Sequence, residues 1–135
     1  MQSRGFEEIP HMADWSIRVW AEDIPALLAE AARGMNALAG AQLTAGPREM
    51  RTFAYEAPDE ESMLVAFLSE LVYAQEHENM GFDKFRIRLE DSSLKVDMEG
   101  APLASLTKAI KAVTFHNLKI IRTVRGSEVE IVFDV

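Results

Sequence analysis

Three short stretches hold the residue types and spacings that could do chemistry. In Pro10-His11-Met12-Ala13-Asp14 an imidazole stands three residues before a carboxylate, immediately ahead of a strand-like run. Asp14 there either accepts backbone N–H bonds in a turn or offers an oxygen to a ligand. In Lys111-Ala112-Val113-Thr114-Phe115-His116 a cation precedes a second imidazole. Counted in twos, His116 shares the parity of Leu118 and Ile120, so it is expected to face the core as a satisfied, partly buried histidine unless a bulge intervenes. The third stretch is Phe133-Asp134-Val135, where Val129, Ile131 and Phe133 alternate up to the last position and hold the chain end in a strand. Asp134 and the α-carboxylate of Val135 then place two anionic oxygen donors side by side. Hard cations such as Ca²⁺, Mg²⁺ and Mn²⁺ take such oxygens, and Asp14 would add a third carboxylate, with water or a partner filling the remaining positions.

Local signatures that would make the chain self-sufficient are missing. It has no G-x-x-x-x-G-K-[ST] loop for a nucleotide phosphate and no G-x-G-x-x-G after a strand. Nor does it contain a G-x-S-x-G elbow, an H-E-x-x-H helix or a calcium-loop pattern. The absence of cysteine excludes a disulfide scaffold, thiolate zinc sites, iron–sulfur ligation and a cysteine nucleophile, and it suits a reducing cytoplasm. Any site must therefore be assembled from segments far apart in the chain.

At 135 residues, 48% apolar and 27% charged, the chain has the size and composition of one globular domain, 1–135, with a core large enough to need no staple. No apolar run approaches the ~20 residues of a membrane span, and the first residues do not read as a signal peptide. The net charge of −8 opposes autonomous binding to a phosphate backbone. That charge is unevenly spread. Residues 1–83 carry 5 basic and 15 acidic side chains, whereas residues 84–125 carry 9 basic and 4 acidic. One basic face on an acidic protein suits docking onto another protein.

The elements that must position these residues follow from periodicity. Alternation predicts a short strand at Phe6–Ile9 and a longer one at Trp15–Ala21. Asp23 caps a helix with Pro25 in its first turn and an apolar stripe from Ile24 to Ala39. Residues 40–46 read as a connection and Arg48–Glu56 as a strand. A second helix opens at Pro58-Asp59-Glu60-Glu61, buries Leu64, Phe67, Leu68, Leu71 and Val72, and leaves at Gly81. Residues 84–90 and 94–99 form a hairpin, 100–106 a loop, and a last hairpin runs from Leu118 and Ile120 through a turn at Arg125-Gly126-Ser127. This is an α+β domain: two helices packed on a mostly antiparallel β-sheet, in two strand-helix-strand-strand units.

Taken together, Gly5-Phe6-Glu7-Glu8-Ile9-Pro10-His11 with Ala13-Asp14, Glu30-Ala31-Ala32-Arg33-Gly34-Met35, Ile110-Lys111-Ala112-Val113-Thr114-Phe115-His116 and the ending Val132-Phe133-Asp134-Val135 resemble the archease family over essentially the whole chain. The resemblance implies an accessory factor, not itself an enzyme, for the RNA ligase that joins 2′,3′-cyclic-phosphate or 3′-phosphate ends to 5′-hydroxyl ends in tRNA splicing and RNA repair. It implies that the factor promotes guanylylation and multiple turnover of that ligase, to which the GTP belongs, and that it meets RNA only indirectly. It also implies a divalent-metal site on Asp14, Asp134 and the carboxylate of Val135, a functional lysine at Lys111, and supporting roles for His11 and His116. The family usually has Thr where Met12 stands and Tyr where Phe115 stands, so two hydroxyls that could orient ligands are lost here. Two rivals stand beside this expectation. One is a chaperone-like modulator of RNA-modifying enzymes such as methyltransferases, with a structural metal; the other is a small hydrolase with Asp14 and Asp134 around an ion and His116 as base.

Overall fold

The computed structural model describes residues 3–9 and 15–135. The order is β1 (Gly5–Ile9), β2 (Trp15–Ala21), α1 (Ile24–Ala39), β3 (Gln42–Leu43), β4 (Glu49–Glu56), α2 (Glu60–Glu78), β5 (Met80–Glu90), β6 (Ser93–Ser105), β7 (Ala112–Val113), β8 (Ile121–Thr123) and β9 (Gly126–Asp134). All strand pairs are antiparallel, so the α+β reading holds.

Two sheets are each built around one long strand. β9 pairs with β2 along Trp15–Ala21 on one side, with β1 beyond it, while β8 and β7 pair with opposite ends of β9. β6 takes β5 on one side and β4 on the other, and β3 pairs near its end. Alternation on β2 and β9 turns Ile17, Val19, Ala21, Val129, Ile131 and Phe133 inward, as period two requires.

α1 starts on the predicted cap Asp23, and α2 starts within the expected Pro58–Glu61 stretch, where Asp59 proves to be the cap. The Asp23 side chain accepts the Ala26 N–H at 2.9 Å and the Asp59 side chain accepts the Ser62 N–H at 2.7 Å. Glu60 and Glu61 add negative charge to the first turn of α2, where the helix dipole favours it. α1 ends at Gly40 with φ 65. α2 ends at Asn79, φ 54, and not at the expected Gly81, which is already inside β5. Leu27, Leu28, Ala31, Ala32 and Met35 of α1 join Leu64, Phe67, Leu68 and Leu71 of α2 in one cluster with residues from both sheets. α1 packs on β2 and β5 and α2 on β5 and β7, so the helices join the two sheets.

Two further expectations change. The stretch 100–106 is not a loop, because β6 continues to Ser105. A Cβ on Gly100 would lie 1.9 Å from the Gly81 carbonyl oxygen, so glycine here permits close approach of two strands and does not mark a turn. The first arm of the last hairpin is only Ile121–Thr123. Leu118 and Ile120 are half-buried against the core outside any strand, and the Ile120 N–H is donated to the Glu61 carboxylate of α2 at 2.9 Å instead of to a ladder.

Candidate functional site

The last residues of β9 gather two of the three chemical stretches. β7 pairs Ala112 with Asp134 and Val113 with Phe133. The Lys111 N–H donates to the Asp134 carbonyl at 2.8 Å and the Thr114 N–H to Val132 at 3.1 Å, so the Lys111–His116 stretch is bound to the chain end by its backbone. On the other side Trp15 pairs with Phe133. Asp14 and His11 lie outside the described residues.

A shallow pocket of about 260 Å³ opens here, lined by Thr114, His116, Val132, Phe133 and Asp134. Phe133 forms its buried floor, while His116 and Asp134 are both exposed. The inward orientation expected for His116 is therefore corrected. β7 ends at Val113, and a turn follows in which the His116 N–H donates to Thr114 Oγ1 at 3.2 Å, the Leu118 N–H donates to the Phe115 carbonyl at 3.0 Å and Asn117 takes φ 51. Two-residue alternation cannot be carried through such a turn. The His116 ring lies 3.3 Å from the Asn117 amide nitrogen.

Thr114 is the residue that sequence reasoning missed. Its hydroxyl donates to the Val132 carbonyl at 2.9 Å while accepting the His116 N–H, so it ties the histidine to β9. The signal was present, because a Thr two residues before the donor is the pattern of a side-chain turn. Glu61 does more than add charge to the first turn of α2: it clamps the segment after His116 by accepting the Ile120 N–H. Lys111 is exposed beside Asp134. Phe115 is 59% exposed, an aromatic surface beside the pocket.

The donor chemistry suits a hard cation only in part. Asp134 and Val135 are adjacent at the end of β9, and carboxylate oxygens are the ligands such ions take. Among the described residues no three His, Asp or Glu side chains cluster closely enough to hold a metal by themselves. Asp14 is the residue that would complete the set.

Comparison with known proteins places this arrangement in a lineage. The pattern of the archease protein family matches residues 6–135. The archease of Methanosarcina barkeri is 29% identical over 147 aligned positions, covering 99% of this chain and 98% of that protein; the archease of Methanopyrus kandleri is 30% identical, covering 87% and 89%. Among solved structures, that of Methanobacterium thermoautotrophicum protein 1598 superposes with a TM-score of 0.71 at 21% identity, covering 97% of this chain and 99% of that one. A Thermotoga maritima crystal structure, described as an archease and possible chaperone, superposes with a TM-score of 0.69 at 23% identity, covering 96% of each chain. The fold and the family pattern agree along nearly the entire length, and by that agreement this chain is a member of the archease family.

Proposed function

We propose that this protein activates a partner RNA ligase of the class that seals 3′-phosphate or 2′,3′-cyclic-phosphate ends to 5′-hydroxyl ends, promoting its guanylylation and multiple turnover. The reading rests on family membership and on one structural observation, the hydrogen bond from Lys111 to Asp134 that joins the two distinctive motifs at one edge of a sheet. Asp14, Asp134 and the Val135 carboxylate would hold a divalent cation, Ca²⁺, Mg²⁺ or Mn²⁺. When bound, the cation supplies positive charge to phosphate oxygens. Lys111 adds a mobile point charge next to it, in the manner of residues that one protein inserts into another's phosphoryl-transfer site. The backbone pairing of β7 with β9 keeps Lys111 and Asp134 together, and Thr114 and Glu61 hold the His116 turn in place.

A chaperone-like modulator is the second reading, favoured by the Thermotoga protein being described as a possible chaperone; any metal would then be structural. Multiple-turnover joining of cleaved RNA by the cognate ligase, with GTP and Mn²⁺, separates the two. Wild type is expected to stimulate joining and Asp134→Ala to lose most of that stimulation, since Asp134 is exposed and its backbone bond from Lys111 survives the change. Stimulation that survives Asp134→Ala in a folded protein would move the conclusion to the second reading. Adding one residue after Val135 replaces the terminal carboxylate with an amide and is expected to weaken metal binding; unchanged metal affinity would remove Val135 from the ligand set.

A further inference from the structure

A groove of about 480 Å³ opens between β4 and α2, lined by Phe53, Tyr55, Ala66, Ser69, Glu70 and Tyr73. Alternation puts Phe53 and Tyr55 on one face of β4, where their rings lie parallel with centroids 6.2 Å apart. Glu70 and Tyr73 come from α2, three residues apart and so on one side of the helix. Tyr73 is 54% and Tyr55 41% exposed, while Phe53 and Glu70 are half-buried. Among the described residues Glu70 has no ion-pair partner. Three aromatic rings and a free carboxylate around one opening are the parts of a cation site. The ring faces are negative, and the carboxylate adds full charge and hydrogen-bond acceptors.

Elsewhere the chain covers such rings with its own cations. Lys108 stands over Trp15 at 5.4 Å, Arg125 over Trp20 at 4.2 Å and Arg51 over Phe82 at 5.1 Å. Among the described residues no Lys or Arg stands over Phe53, Tyr55 or Tyr73. Arg51, the cation nearest to Phe53 in sequence, is held by Glu78 at 2.6 Å and by Glu49 at 3.0 Å. The chain therefore supplies the rings and the carboxylate of this groove but not the cation. A nucleic-acid strand stacking its bases on the same rings would bring phosphates against Glu70 and against Glu56, the residue after Tyr55. Charge thus selects a basic partner.

The strand beside the groove indicates that the cation arrives on a polypeptide. β4 runs eight residues in unbroken register against β6, and among the described residues no strand pairs with its other side. The Ala57 N–H donates to Ser92, next to the start of β6, so alternation turns the backbone N–H and C=O of Met50, Thr52, Ala54 and Glu56 away from β6. On a strand added there, a residue opposite Phe53 or Tyr55 shares their face of the sheet. We infer that the groove binds an arginine side chain of a partner protein, carried on an extended segment that pairs with the free edge of β4. A guanidinium suits the site better than an ammonium, because it is planar, weakly hydrated, and stacks on rings while bonding a carboxylate through two N–H groups. Backbone pairing holds the segment, and the groove selects the residue. The site uses no residue from the end of β9 and does not depend on what the partner catalyses.

Tyr55 and Tyr73 are the two tyrosines of the chain, so tyrosine-selective isotope labelling lets NMR read this groove alone. The probe is the peptide acetyl-Thr-Val-Arg-Val-Thr-amide. Both ring resonances are expected to move saturably, with a Kd at or below about 1 mM. The same peptide with citrulline, which keeps the shape of arginine without its charge, should bind about tenfold more weakly, the loss of one exposed cation–π contact and one surface ion pair. Glu70→Gln keeps the side-chain volume, and it should weaken the arginine peptide about fivefold while leaving the citrulline peptide unchanged. N-acetylarginine amide, which has the cation without the strand, should bind more weakly than the peptide. Rings that do not move, equal affinity for the citrulline peptide, unchanged arginine affinity in Glu70→Gln, or movement of the rings by hexauridylate would overturn the inference. Arginine amide binding as tightly as the peptide would overturn its polypeptide part.

Discussion

Asp59 shows how one carboxylate connects sequence, helix and pH. The backbone N–H of Ser62 holds it below the usual carboxylate range, with the Ser62 side chain adding to the effect. A folded-state pKa below the unfolded one means the carboxylate stabilises the fold above the ordinary Asp value of about 3.9, and that this contribution is lost as pH falls through the folded value. Asp59→Ala should therefore lower the melting temperature at neutral pH, and the gap to wild type should close on acidification below about pH 3.9. A gap independent of pH would show that the cap acts through geometry alone. Caps of this kind are legible in a sequence because donor and acceptor lie three residues apart. The candidate site is less legible for the converse reason. The types of Lys111, Thr114 and Asp134 were readable, but their meeting depends on the long-range pairing of Ala112 with Asp134. His116 escapes the two-residue alternation because Asn117, with its positive φ, and the Thr114 hydroxyl impose a turn that strand parity does not cross.

At the scale of elements, long periodic segments were readable and their ends were not. The apolar stripes of α1 and α2 are buried apart from the half-buried Leu38, since each follows from a 3.6-residue repeat against a core, but burial spreads beyond them to Ala29, Glu30 and Gly34 on α1 and to Met63, Ala74 and Gln75 on α2. Gly100 and Pro102 look like turn residues in the sequence, yet β6 runs through both. Their role is set by partners that the sequence does not show: Pro102 pairs with Met80 and its carbonyl accepts the Thr44 N–H at 2.8 Å, while Gly100 lets the β5 backbone pass. Gly100→Ala should accordingly cost about 1–3 kcal/mol, the range of an overpacked site, because the clash is with backbone that cannot swing away. Gly46→Ala is the control. Its nearest neighbour would be Thr44 Oγ1 at 3.6 Å and its φ is not positive, so it should be neutral or stabilising by about 0.4–1 kcal/mol. Urea midpoints for the pair would check both. Equal midpoints would mean that the β5–β6 crossing can relax by the missing distance.

For the molecule as a whole, the question is whether two sheets joined through two helices unfold as one body. Met35 is fully buried on α1, the helix that packs against β2 of one sheet and β5 of the other. Met35→Ala should cost about 2–5 kcal/mol through lost burial and a residual cavity. The consequence for cooperativity is more discriminating than the magnitude. Both tryptophans, Trp15 and Trp20, lie in β2, so their fluorescence follows the β9-centred sheet alone, whereas far-ultraviolet circular dichroism follows both sheets and both helices. One hydrophobic cluster contains Ile17, Val19, Ile131 and Phe133 from the first sheet, Phe82, Leu94, Val96 and Met98 from the second, and the buried faces of α1 and α2. Opening either sheet exposes helix surface that the other also covers, so neither gains stability from remaining folded alone. The two probes should then trace a single urea transition in wild type and another, shifted to lower denaturant by the same amount in both probes, in Met35→Ala. A tryptophan transition that separated from the circular dichroism would show that the sheets are independent units merely bridged by the helices. The Lys111–Asp134 contact at the end of β9 would then stand or fall with the first sheet alone.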